Sequence, residues 1–79
     1  MLTELEELVL DIMCERRHAY PGEVAQDARI PREEAEQILE QLADLRFVRR
    51  FRGRHGRRYA ITGAGKEAAR TPNSAVWTA

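Results

Sequence analysis

Cysteine occurs once in these 79 residues, at Cys14, so no disulfide can form within the chain, which fits a reducing compartment. No apolar run approaches the ~18–20 residues that cross a bilayer. The opening stretch MLTELEELVL is acidic where a signal peptide would be basic. These absences predict a cytoplasmic protein with no membrane contact. Serine is found only at Ser74, near the end of the chain, so no Ser–His–acid constellation is available, and an enzyme is not expected. Cys14 and His18 stand at i, i+4 but make only half a metal site, short of ligands unless a second chain supplies them. "TGAGKE" falls short of a phosphate-binding loop, because Ala60 stands where its first glycine belongs and Glu67 where Ser or Thr follows the lysine. No metal or cofactor is expected. Internal repeats and low-complexity segments are also missing.

Net charge is missing too, but only as an average. Residues 1–45 hold twelve acids and four arginines, a net of 4 − 12 = −8. Residues 46–79 hold eight arginines and Lys66 against Glu67, a net of 9 − 1 = +8. Seven of those arginines and His55 fall within residues 46–58. So sharp an asymmetry assigns an electrostatic task to one segment. With 43% apolar residues, the chain has enough for one small folded domain.

The apolar residues Leu5, Leu8, Val9, Ile12 and Met13 mark one face of a first helix, with Thr3 placed to cap it. "AYPG" breaks the pattern, and a second helix is predicted over about 22–29, burying Val24, Ala25 and Ala28. Pro31 opens a third helix whose buried stripe is Ala35, Ile38, Leu39, Leu42 and Leu45, with Glu33 and Glu34 in its first turn. After Arg46 the period changes to two, and "GRHG" supplies the turn of a β-hairpin with Arg52, Arg54, His55 and Arg57 near its tip. Thr62 can cap a short terminal helix over about 63–70. The predicted fold class is α+β, mainly α: a three-helix core, a two-stranded basic hairpin and a short C-terminal helix. The domain covers residues 1–70, and 71–79 form a tail.

"LTELEELVLDIM", "PGEVAQDARIPREEAEQILEQLADLRFVRR" and "GRRYAITGAGKEAAR" together resemble the winged helix-turn-helix of prokaryotic MarR-type and PadR-type transcription regulators. The resemblance spans residues 2–70 and implies a DNA-binding fold with the hairpin as its wing and the third helix as its recognition helix. Two departures stand out. Arg29 and Arg46 occupy turns where such families often carry glycine, and a left-handed backbone there would cost arginine about 1 kcal/mol. The long flanking helices by which MarR-type proteins dimerise are also missing, so a dimer would need another surface. Leu10, off the main stripe of the first helix, together with Leu2, Val76 and Trp77, is the candidate for a homodimer contact. The alternative is that Trp77 folds back on its own domain or is simply disordered.

The outward positions of the third helix are Arg32, Glu33, Glu36, Gln37, Glu40, Gln41 and Asp44. Phosphate-lined grooves repel such a face, which leaves Arg32 and Gln37 for base edges. Neutralising Glu36 and Glu40 should then strengthen binding. The face can otherwise be plain solvated helix, or a contact for a basic protein partner. The arginine hairpin suits nucleic acid, since guanidinium forks match phosphate oxygens, although it can also neutralise the acidic helices within the fold. The expected duplex DNA contacts are Arg50, Arg52, Arg54, Arg57 and Arg58 on phosphates, Arg54 entering a groove, and His55 as a further donor. The sequence thus predicts a small DNA-binding transcription regulator working mainly through its wing. The alternative is a protein interaction module that uses the acidic third helix and the wing.

Overall fold

Thr3 and Glu6 open the first helix by capping each other. In the computed structural model, which describes residues 2–69, the Glu6 amide donates to Thr3 Oγ1 at 3.1 Å and the Thr3 amide to Glu6 Oε1 at 2.8 Å. Helix α1 then runs over Glu4–Arg16. Pro21 occupies the first turn of α2, Pro21–Ala28, and the Tyr20 amide donates to Glu23 Oε1 at 2.8 Å. Helix α3 follows Pro31 and spans Arg32–Asp44. A last helical run occupies residues 63–69. Thr62 starts it by accepting from the Gly65 amide at 3.0 Å, and the Thr62 amide donates to the Phe47 carbonyl at 3.1 Å. The predicted tail and its tryptophan lie outside the described residues.

The hairpin forms as expected from β2, Val48–Gly53, and β3, Gly56–Ile61, in a register running from Val48↔Ile61 to Gly53↔Gly56. Gly56 supplies the positive φ, 113°, that the turn needs. A third strand was not foreseen: β1, His18–Ala19, pairs with β3 and makes a sheet of order β1-β3-β2. Two residues are too short to show a period of two, so only tertiary pairing reveals the strand. It leaves β3 central and β2 as the longer of the two edge strands, where arginines discourage pairing with another chain.

Val9, Leu10, Met13, Val24, Leu39, Leu42 and Tyr59 are the largest fully buried side chains. Three expectations fail here. Leu10 is 1% exposed and belongs to the core, so it offers no dimer surface, while Leu8, expected inside, is 43% exposed. The reason is that α1 is covered on two sides, by α2 and α3 and by the sheet. Its buried arc therefore widens past Met13 to Leu10 instead of turning toward Leu8. Leu45 is 51% exposed because α3 ends at Asp44 and the chain turns away before the stripe reaches it.

Arg17, Arg29 and Arg46 hold positive φ angles of 70°, 59° and 65°, so an arginine with a left-handed φ follows each of these three helices within two residues. A cation near a helix C-terminus recovers part of that strain through the dipole. Arg29→Gly and Arg46→Gly are each expected to stabilise the domain by no more than roughly 0.5 kcal/mol, about 1 kcal/mol of relieved strain less the larger unfolded entropy of glycine, ~0.4–1 kcal/mol. Urea melts of the single variants check this. Lower midpoints would show that the arginine side chains themselves hold the turns.

Candidate nucleic-acid interface

Alternation along the hairpin sorts its side chains onto two faces. Val48, Arg50 and Arg52, with cross-strand partners Ile61, Tyr59 and Arg57, share the face toward α3. On it a single carboxylate gathers three groups. Glu40 of α3 accepts the Tyr59 hydroxyl, lies 3.0 Å from Arg57 Nη1 and pairs with Arg50 Nε at 3.5 Å. Arg50 also reaches Asp44 Oδ1 at 3.3 Å. The Tyr59 hydrogen bond, aided by Arg57 and Arg50, holds the Glu40 carboxyl below the usual carboxylate range. Burial, together with the Glu40 contact, pushes Tyr59 up to about 12. This clamp seats the wing on the third helix.

A depressed carboxyl stabilises the fold above its unfolded pKa of ~4.3, and that contribution disappears as pH falls through the lower folded value. The stability gap between the parent and Glu40→Gln is therefore expected to be widest near neutrality and to close in acid. Urea midpoints between pH 3 and pH 7 measure it (~4.3 lying inside that range). A gap independent of pH would mean that the ion pairs contribute nothing.

The opposite face of the hairpin carries Arg49, Phe51 and Gly53 beside Ala60, Arg58 and Gly56. Arg58 is held there. Its guanidinium lies 5.7 Å from the Tyr20 ring centroid and 5.6 Å from that of Phe51, and it touches the His18 ring. Its Nε is buried and has no hydrogen-bond partner among the described residues. The Tyr20 hydroxyl accepts from the His55 amide at 3.4 Å, and the two rings meet edge-on at 6.0 Å. A Cβ at Gly53 would push Tyr20 aside, because Tyr20 Oη would lie 2.5 Å from it.

The expected contact residues therefore divide. Arg50 and Arg57 are engaged by Glu40 and Asp44, and Arg58 by rings and His18, so part of the wing's charge does neutralise α3 within the fold. Arg52 and Arg54, with Arg46 and Arg49, have side chains free of any hydrogen bond or ion pair among the described residues. Arg32 and Gln37 are exposed on α3, as expected, and His55 sits in the hairpin turn. Glu40 is not merely a repelling acid, as its place on the outward face implied, because it anchors the wing. Glu36 is half-buried and lines the cleft between α3 and the wing. Tyr20, Phe51 and Tyr59 were missed as parts of this surface. Their only trace in sequence is aromatic residues set among or near arginines.

Cys14 and His18 are not neighbours on one helix, because α1 ends at Arg16 and His18 belongs to β1. Burial and nearby Asp11 raise the Cys14 thiol, which leaves it mostly protonated. Among the described residues no group of three His, Cys, Asp or Glu side chains is placed to hold a metal, and no helix is long and apolar enough to cross a membrane.

No family model and no curated protein matches the sequence. Solved structures do. RV1404 from Mycobacterium tuberculosis superposes with a TM-score of 0.84 at 14% identity, covering 92% of this chain and 52% of that one. The oxidized form of MarR from E. coli gives 0.84 at 17% identity, with 95% and 55% covered. A mutant of Lactococcus lactis ZitR in complex with DNA gives 0.79 at 16% identity, with 94% and 52% covered. The chain spans about half the length of each of these proteins. What they share with it is the architecture: the chain has the winged helix-turn-helix fold of the MarR-type regulators.

Proposed function

We propose that the protein binds duplex DNA through its wing and acts as a transcription regulator. The observation that carries this is the sorting of the wing's charge. The carboxylates of α3 occupy Arg50 and Arg57, while Arg49, Arg52 and Arg54 stay unpaired on the free strand and its turn. Unpaired guanidinium groups on a narrow hairpin suit phosphate ridges and a minor groove. The acidic face of α3 suits them poorly, so base contacts there are confined to Arg32 and Gln37. Arg32 begins α3 and is exposed there. The fold shared with MarR, and with a ZitR structure that contains DNA, supports the same reading.

Salt titration of binding to random duplex tests it. Three neutralised phosphates predict a log–log slope near −2.7, from ~0.9 per contact. A slope near zero would sink the proposal and favour a protein partner.

A further inference from the structure

Phe51 is one of the few large apolar side chains left exposed among the described residues, 41% exposed in the middle of a strand. Its ring is preset, because the Arg58 guanidinium stacks between it and Tyr20. On the same face, Arg49 precedes it by two residues and bare Gly53 follows, with Arg54 next in the turn. The cross-strand neighbour of Arg49 is small Ala60, while Tyr20 packs over Gly53, so the ring is least obstructed on its Arg49 side. No carboxylate occurs anywhere in residues 46–61.

We propose that this outer face of the wing binds unpaired nucleic acid, with one base stacked on Phe51 and Arg49 and Arg54 on the phosphates that flank it. A cation–ring–cation row without acids offers a nucleotide both things it needs, a π-surface for the base and guanidinium forks for the backbone. Paired bases keep their faces inside the duplex, so this ring is usable only by a base that is already unstacked. An acidic peptide would satisfy the arginines but has no use for the ring face. The site goes beyond duplex binding and does not depend on it.

The test is fluorescence anisotropy of the whole chain with three probes: a labelled oligothymidylate of about 12 nucleotides, within the ~4–16 that single-strand folds cover, an abasic phosphodiester of the same length, and a duplex. The parent is expected to prefer oligothymidylate over the abasic strand by on the order of tenfold, the value of one stacked base. Phe51→Leu should abolish that preference. Phe51→Trp in a Trp77→Phe background should keep it, and its emission should be quenched on binding. Equal binding of the abasic strand, or a preference that survives in Phe51→Leu, would overturn the proposal. So would a Phe51-dependent preference for polyglutamate, which would mark a surface for acidic peptides. Should the leucine variant fail to fold, the tryptophan variant decides, since no quenching would equally overturn it. Loss of duplex binding with the oligothymidylate preference intact would count against the regulator reading alone.

Discussion

Replacing Arg49, Arg52 and Arg54 together by alanine is expected to flatten the salt dependence of duplex binding by about 2.7, ~0.9 for each lost phosphate contact. At low salt the affinity should fall by on the order of a thousandfold, taking ~1.5 kcal/mol for each hydrogen bond to a charged group. All duplex sequences should weaken alike, because phosphates carry no base identity. These three side chains have no partner within the described fold, so their loss should leave thermal stability nearly unchanged.

The complementary set behaves differently. Replacing Arg57 and Arg58 removes a partner of Glu40 and the guanidinium between Tyr20 and Phe51, so the main effect should be on the wing's stability. Sequence alone would have ranked Arg54, Arg57 and Arg58 together. Salt titrations of both sets, with melting curves as controls, separate the two rankings. Should the Arg49, Arg52 and Arg54 variant bind duplex as the parent does, the free arginines are not the working surface.

Gly65→Ala is expected to destabilise the domain by about 3 kcal/mol, at the upper end of ordinary overpacking. A Cβ at this buried glycine would fall onto the Phe47 carbonyl and within 2.7 Å of Ile61 Cδ1. The carbonyl cannot step aside cheaply. It accepts the Thr62 amide at 3.1 Å, while the Phe47 amide donates to Leu42 at 2.9 Å. The glycine is where the last helix crosses the base of the wing, so the clash should also loosen the wing. For a chain of this size the melting temperature should drop by roughly 12–24 °C, from ~4–8 °C per kcal/mol. Gly63→Ala is the control, since nothing lies within 4 Å of its added Cβ. Equal stability of the two variants would show that the wing base yields.

What the sequence determined by itself is local. The period of about 3.6 in Val9, Ile12 and Met13 and in Ala35, Ile38, Leu39 and Leu42 marked two helices and most of their buried sides. Thr3, Pro31 and Thr62 marked where helices begin, and "GRHG" marked the hairpin turn. Each signal depends on neighbours within a few residues, and short-range sterics and hydrogen bonds enforce it. Even the cost of Arg29 and Arg46 at left-handed positions could be stated in advance, because it belongs to a single backbone angle. Tertiary structure decided everything that needs two elements to meet. Leu10 went inside and Leu8 outside because two neighbours cover α1, a fact absent from the helix's own period. Two-residue β1 exists only because β3 pairs with it. Above all, seven arginines look alike along the chain. Only the crossing of α3 over the hairpin brings Glu40 against Arg50, Arg57 and Tyr59, and only the chain between α1 and α2 lays Tyr20 against Arg58. Which arginines remain free for a ligand is set by those distances, because a charge is spent on whichever partner lies nearest in space.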